Sequence, residues 1–401
     1  MISVEDATAR IVAEMHTLGT ETVSVSAAMG RVLAEDLAAR VTHPPFPVSA
    51  MDGYAVRSAD VASAPVTLRV IGESAAGHPF AGTLGPGEAV RTFTGAVVCA
   101  GADAVVMQEN TDAGPGTVRV RAGVIQGTHV RPPGMDFSVG ELLLGAGRRL
   151  TFRDVGLAAA MNMPWLRVRR RPRIAILSTG DEIGLPGDPV GPGCVFGSNG
   201  FALSAYVTSL GGVAIDLGIA GDDRASLLAL ASGAKGADML VTSGGVSVGD
   251  HDLIQQVLGE AGLKIDFWKV AVRPGKPLVF GHFGDIPLLG LPGNPVSAMV
   301  GAVLFLEPAL RAMQGLPHRG PRASAVLTRG LEANDSREDY LRATLSHAAD
   351  GSLRVTPFER QDSAMLATLC RADCLAVRPP NAPPAKPGDR IEIVALDSFC
   401  A

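Results

Sequence analysis

The chain opens on a helical pattern. Ser3 and Asp6 fit a helix-capping pair, and Val4, Ala7, Ile11, Met15 and Leu18 recur at the spacing that lines one helix face with apolar side chains. Residues 22–26 then alternate like a short strand, and a second short helix is expected over 27–39. From about Pro44 the texture changes. Pro and Gly punctuate short alternating runs at 66–70, 89–93, 104–107 and 117–121, which predicts an all-β insert of domain size. Helical periodicity returns over 152–163 and ends before Pro164, since a residue ahead of proline is disfavoured in the helical region. The two helical stretches read as one domain interrupted by the insert.

Beyond Arg173 the period switches again. Ile174-Ala175-Ile176-Leu177 is apolar without a break, as strands buried on both faces are. Strands are expected at 174–177, 213–219, 239–241, 278–280 and 287–289, alternating with helices at 199–210, 223–234, 251–261 and 296–313. Such alternation implies a doubly wound sheet. After Gly315 β texture resumes at 341–345, 353–356, 374–377 and 391–394. The expected fold class is therefore α/β multidomain: a doubly wound α/β domain over 169–318, a discontinuous N-terminal helical region over 1–44 and 137–168, an inserted β domain over 45–136, and a small barrel-like C-terminal β domain over 319–401. The longest apolar run, Val296 to Leu306, is stopped by Glu307-Pro308 and fits a core helix better than a bilayer span.

Composition narrows the function. Among 401 residues, 47% are hydrophobic and 19% charged, which excludes a mostly disordered chain. Aromatics are only 4%, so a base-stacking platform is not expected. The net charge of -5 means that an anionic ligand must be met by local donors. The basic run Arg167 to Arg173 reads as a solvated linker, and no nucleic-acid or membrane partner is indicated. The five cysteines form no Cys-x-x-Cys pair and read as small buried hydrophobes in a reducing compartment. The first residues lack a basic and apolar leader, so the reading is cytoplasmic.

The candidate chemistry lies in three Gly-rich turns, each following an expected strand: Ser178-Thr179-Gly180-Asp181-Glu182, Ser243-Gly244-Gly245-Val246-Ser247-Val248-Gly249-Asp250, and Leu291-Pro292-Gly293-Asn294-Pro295. In a parallel sheet all three emerge at the carboxyl edge, where ligands bind. Glycine lets backbone N–H groups approach a ligand, serine adds hydroxyls, and the helices that follow add positive ends, which together make a cradle for an oxyanion. The spacing matches neither a dinucleotide fingerprint nor a P-loop. Asp181, Glu182, Asp222, Asp250 and Asp252 could bring magnesium to a substrate phosphate, whereas Asp223 is better read as a helix cap. The turn around Arg273-Pro274-Gly275 places Lys269, Arg273 and Lys276 where they could grip phosphate or another oxyanion; the plainer alternative is a solvated basic loop. No nucleophile triad stands out.

These segments, together with Ser49-Ala50-Met51-Asp52-Gly53-Tyr54-Ala55-Val56, Thr94-Gly95-Ala96 and Gly101 to Val106, resemble the molybdopterin molybdenumtransferase family, to which the E domain of gephyrin belongs. The resemblance runs from the first helix to the C-terminal β domain. It implies four domains, among them a molybdopterin-binding α/β domain, and a homodimer in which the Ala50 to Ala55 loop reaches the partner's cradle. It also implies molybdate insertion into adenylylated molybdopterin with magnesium and release of AMP. The upstream molybdopterin adenylyltransferase and recipient molybdoenzymes are its candidate partners. The family's site positions fall on Asp52, Thr94, Asp136, Glu182, Asp222, Asp252, Lys269, Arg273, Lys276, Arg337 and Ser363. Of these, Asp52, Glu182, Asp252, Lys269, Arg273 and Lys276 are expected to act in catalysis, and Asp136, Glu182 and Asp252 to hold the metal. Substrate is expected on Thr94, Asp222, Arg337 and Ser363, and on Ser243, Gly244, Gly245, Ser247, Gly249, Pro292, Gly293 and Asn294 of the cradle. Met135 stands beside Asp136 where the family usually has Glu. Two other readings stay open at this point: a pterin-binding scaffold of the same fold, and a related nucleotide-pyrophosphate hydrolase.

Overall fold

The computed structural model describes residues 1–189, 191–245, 259, 262–318 and 323–396. Two compact units emerge. One holds Met1–Glu21, Gly30–Val32 and the chain from Arg169 onward; the other holds Thr22–Met29 and Leu33–Val168.

In the first unit, Ser3 caps the helix Val4–Ala13 by accepting the Asp6 N–H at 3.0 Å. The central sheet has six strands in the order Val213–Ala220, Arg173–Thr179, Met239–Ser243, Ile286–Leu291, Val279–Phe283 and Leu263–Trp268. The first four run parallel, and the last two join antiparallel. The unbroken apolar run at 174–177 is explained by burial on both faces. Ile174 and Ile176 pack with Leu203, Val207 and Phe305, while Ala175 and Leu177 pack with Leu227 and Ala231. Each fully buried aliphatic side chain of this kind contributes about 1.5–3 kcal/mol of transfer free energy.

The helix Pro295–Met313 is the centre of the larger cluster. Its 19 residues are apolar and long enough to cross a membrane, but 78% of its most apolar window is buried inside the protein. Its middle, Ala302–Leu306, widens to a π-helical turn just ahead of Pro308. Proline has no N–H to give to the carbonyl four residues back. That carbonyl, on Leu304, instead accepts the Thr8 hydroxyl at 3.3 Å, which docks the first helix here.

Five strands, Ala323–Leu327, Glu338–His347, Leu353–Pro357, Cys374–Arg378 and Arg390–Ala395, close into a barrel. Closure removes free sheet edges. The short strand Val272–Arg273 joins Glu338 and Asp339 in parallel register and ties the basic turn to the barrel.

The second unit carries a six-stranded sheet in the order Ala104–Met107, Gly53–Val56, Glu88–Thr92, Val66–Ser74, Thr117–Val120 and Thr111–Gly114. Beside it, Leu33, Leu37, Phe137, Leu144 and Leu150 pack with Met161 and Leu166 around the helix Phe152–Ala160, which opens on a Thr151–Asp154 capping box.

Most expected elements are present, with corrections. The helix expected over 27–39 is absent. A 3-10 turn at Val25–Ala27 and a short strand at Leu37–Ala38 stand there instead. The reason is long-range pairing: the N–H groups of Leu33, Ala34 and Ala39 donate to Arg148, Arg167 and Glu141 carbonyls at 2.9, 3.0 and 2.8 Å. The basic run is not all linker, since Trp165–Arg169 is a strand and Arg170 makes a bidentate pair with Asp238. Cys99 and Cys374 are buried as expected, but Cys194 and Cys370 are exposed; Cys400 lies outside the described residues. The strands Gly53–Val56, Leu263–Trp268 and Ala323–Leu327 went unread in the sequence. The helix expected over 251–261 falls almost wholly outside the described residues.

Candidate functional site

Register places the three glycine turns together. Ser178 is level with Ser243, and Ser243 with Leu291, so the three strands end on one line. The turns that follow touch through backbone. The Gly244 N–H donates to the Leu291 carbonyl at 3.2 Å. A Cβ at Gly244 would sit 2.6 Å from the Thr179 carbonyl oxygen, and one at Gly293 would meet the Gly244 Cα at 3.6 Å. Gly244 also has φ +96°, a region that side chains avoid. Only glycine satisfies both conditions, and the result is an edge built of main chain.

Asn199, at the start of its helix, clamps this edge. Its amide Nδ2 donates to Ser243 Oγ and to the Gly293 carbonyl, both at 2.8 Å. The Ser243 hydroxyl in turn donates to the Pro292 carbonyl at 3.4 Å. Asn294 donates to Ser363 Oγ at 2.9 Å, and the Val296 N–H to the Ser363 carbonyl at 3.1 Å, so a barrel loop seats the third turn. Gly245 continues the second turn at φ +64°. Ser247, Gly249, Asp250 and Asp252 lie outside the described residues.

The carboxylates group at the neighbouring strand ends. The Asp222 N–H donates to Asp181 Oδ1 at 2.9 Å, and the Asp181 N–H returns to Asp222 Oδ2 at 3.5 Å. Asp223 accepts the Ser226 N–H at 2.9 Å and caps its helix, as expected. Glu182 is exposed, and its carboxylate folds back over Gly180. Among the described residues no three His, Cys, Asp or Glu side chains stand close enough to hold a metal.

The three basic residues divide. Lys269 sits with its ammonium 3.9 Å from the centre of the Trp268 ring. Arg273 is paired with Asp339, and it also reaches Asn334 at 3.0 Å and Asp335 at 3.3 Å. Asp335 in turn holds Arg337 at 2.7 Å, and Arg337, first among its partners, lowers the Asp335 pKa to about 2. Lys276 is exposed. Arg273 and Arg337 are thus tied to carboxylates, and Lys276 is the cation of the turn that projects into solvent.

The second unit brings its own pair together. Asp52 Oδ1 accepts both the N–H and the hydroxyl of Thr94 at 2.8 Å. The Thr94 N–H chiefly, then its hydroxyl, holds the exposed Asp52 carboxyl below its ordinary pKa, helped by the charge of Arg91. The motif segments that carry this pair are stitched together: the Gly95 N–H donates to the Ser49 carbonyl, and the Ser49 N–H to the Ala96 carbonyl, both at 2.8 Å. Gly53 is required because a Cβ there would lie 1.9 Å from the Val106 carbonyl. Arg91 spans the Tyr54 and Phe93 rings at 5.1 and 4.8 Å and donates to the Gly53 carbonyl at 3.2 Å. Asp136 is exposed in the same unit.

Sequence reading missed three residues. Asn199 gave a weak signal, an amide where a helix begins. Arg91 gave none. Arg342, only 1% exposed, holds the Ser363 loop through Gln361 Oε1 at 3.1 Å and the Asp362 carbonyl at 2.8 Å. An arginine inside a β pattern reads as solvent-facing, so its burial was invisible in sequence.

Comparison with known proteins covers nearly all of this architecture. Residues 2–162 match the MoeA N-terminal region (domain I and II), 175–312 a probable molybdopterin binding domain, and 324–396 the MoeA C-terminal region (domain IV). Molybdopterin molybdenumtransferase 2 of Mycobacterium tuberculosis is 40% identical over 352 residues, 85% of this chain and 87% of that protein. The molybdopterin molybdenumtransferase of Bacillus subtilis is 33% identical over 406 residues, 98% of this chain and 94% of its own length. Among solved structures, the molybdopterin biosynthesis MoeA protein of Pyrococcus horikoshii superposes with a TM-score of 0.82 at 31% identity, over 100% of both chains.

Proposed function

The chain belongs to the molybdopterin molybdenumtransferase family, and on that premise we propose that it inserts molybdate into adenylylated molybdopterin, releasing AMP and giving molybdenum cofactor. The observation that carries this reading is the convergence of the three glycine turns at one sheet edge, with the Thr179 carbonyl, Gly244 and Gly293 in backbone contact. Such an edge suits a phosphate-bearing ligand, because it offers main-chain donors that need no change of protonation. The residues act by binding and orientation. Ser243, Gly244, Gly245, Gly293 and Asn294 receive the phosphates, with Ser247 and Gly249 of the same loop, while Lys269 and Lys276 supply positive charge beside them. Asp52 and Thr94 form the second polar element, assigned to the reacting end of the substrate.

The Asp181–Asp222 pair fits magnesium shared with a substrate phosphate, since that ion often takes only one or two protein carboxylates. We assign Glu182, Asp136 and Asp252 to the same role. When bound, magnesium would neutralise charge on the phosphoanhydride. We further propose a cytoplasmic homodimer and the four-domain division at 1–44 with 137–168, 45–136, 169–318 and 319–401. Mixing Asp52→Ala and Asp252→Ala chains tests the dimer: partial recovery in verified heterodimers is expected, and no recovery removes shared sites.

The central test is incubation with adenylylated molybdopterin across a molybdate titration. AMP release should rise with molybdate, and active cofactor should accumulate. Unchanged AMP release with substrate bound would overturn the assignment in favour of a pyrophosphate hydrolase.

A further inference from the structure

The Asp52 corner of the second unit is built around a cation. Arg91 lies on the strand Glu88–Thr92, directly opposite Tyr54 in the antiparallel pairing, and is half-buried. Its guanidinium carbon stands 5.1 Å from the centre of the Tyr54 ring and 4.8 Å from that of Phe93. Both distances fall within the roughly 6 Å over which a ring face attracts a cation. Two aromatic side chains thus hold the guanidinium, and a planar fork held in place can aim its donors.

The aimed donors reach two segments that meet at Asp52. Arg91 Nη1 donates to the Gly53 carbonyl at 3.2 Å, and Nη2 to Gln108 Oε1 at 2.7 Å. Gly53 follows Asp52 directly in the chain. The Gln108 N–H donates to the Asp52 carbonyl at 3.0 Å. Arg91 therefore ties together the pieces of chain that hold the Asp52 backbone. Thr94, just beyond the end of the same strand, holds the carboxylate itself, its N–H and hydroxyl each 2.8 Å from Asp52 Oδ1. Those two bonds do most to lower the Asp52 pKa, and the charge of Arg91 adds less. What the arginine supplies is geometry more than charge.

We propose that Arg91 is a positioning residue for turnover: without touching substrate, it fixes the peptide after Asp52 and the Gln108 strap, so that the Asp52 carboxylate keeps one direction. The proposal rests on the assignment of Asp52 to the reacting end of the substrate. Lysine should not replace Arg91, because one ammonium on a flexible stem cannot serve both acceptors while lying against two rings. A reacting group displaced by about 1 Å can cost roughly 100-fold in rate, so a residue that only aims Asp52 can still have a large effect.

The experiment measures single-turnover AMP release and equilibrium binding of adenylylated molybdopterin for Arg91→Ala, Arg91→Lys, Asp52→Asn and the combined Arg91→Ala and Asp52→Asn chain. Arg91→Ala should slow release by about 10- to 100-fold, with binding within about 3-fold of wild type. The combined variant should be no slower than Asp52→Asn alone, because Arg91 acts through Asp52. Arg91→Lys should recover little of the rate. Gln108→Ala removes one acceptor at an exposed side chain and keeps the test decisive if Arg91→Ala folds poorly; a smaller loss of the same kind is expected. Losses that multiply in the combined variant, full activity in Arg91→Lys, or weakened binding alone would overturn the proposal. Amide hydrogen exchange at Gln108 reads the hold without any turnover. It should be about 10-fold faster in Arg91→Ala, with the rest of the sheet unchanged. Unchanged exchange sinks the hold itself. Faster exchange in a protein whose wild type releases no AMP would instead sink the proposed function, and the catalytic role of Arg91 with it.

Discussion

The two polar centres of the molecule are made of different material. The glycine edge of the α/β sheet is main chain: carbonyls, N–H groups and absent side chains, held by strands in register. The Asp52–Thr94 corner of the second unit is a pair of exposed side chains on a stitched loop. In the first, shape and stability are inseparable, because the atoms that would meet a ligand also complete the fold. In the second, a charge can be removed with little effect on packing. Mutations should therefore divide into those that cost folding and binding together and those that cost turnover alone.

The largest effect is expected at Gly244. Valine there would force a side chain against the Thr179 carbonyl, 2.6 Å from its Cβ, at φ +96°. Strain and clash together should lower stability by about 3 kcal/mol or more, with loss of substrate binding in whatever folds. Thermal melts and equilibrium binding of adenylylated molybdopterin check this. A Gly244→Val protein that melts normally would dissolve the contrast.

Next is Asp52→Asn. Because the side chain is exposed, the melting transition should be almost unchanged, while single-turnover AMP release falls by about two orders of magnitude, the scale of one lost electrostatic contact. Normal turnover at saturating magnesium would make Asp52 a loop pin only.

Asn199→Ala sits between the two classes. It removes a side chain, but one whose work is to hold the Ser243 and Gly293 backbone at 2.8 Å each. A stability loss of about 1–2 kcal/mol is expected, with weaker substrate binding and near-normal turnover at saturation. A pure turnover defect would move Asn199 into the reacting site.

The same division explains what could be read from sequence. The glycine edge was legible because three turns after three apolar runs can lie side by side only in a parallel sheet, and Gly244 and Gly293 met there as expected. Helices with clean apolar periodicity, such as Val4–Ala13, were equally legible. What escaped was decided by distant partners. Residues 27–39 carry spacing compatible with helix, but their N–H groups go to Glu141, Arg148 and Arg167. Arg342 is buried by its bonds to Gln361 and Asp362, which no local pattern announces. Arg273 looked free to meet an anion until Asp339 was placed beside it. For side-chain sites, identity was readable and pairing was not.

The smallest effect follows from the lowered Asp52 pKa. The Thr94 N–H and hydroxyl favour the charged carboxylate, and Arg91 adds to them. A carboxyl whose folded pKa lies below its unfolded value, near 3.8, stabilises the fold fully above that value and loses the contribution as pH falls through the folded pKa. The wild-type protein should therefore hold a slight advantage in melting temperature over Asp52→Asn at pH 5 to 7, shrinking as pH drops below about 4. Exposure to solvent keeps that advantage small. The deficit of Gly244→Val should stay constant over the same range, since no titrating group is involved in its clash. Paired melting curves at stepped pH separate the two behaviours. If the Asp52→Asn difference persists unchanged to pH 3, the carboxylate charge is not what Thr94 recognises, and the corner is held by shape as the glycine edge is.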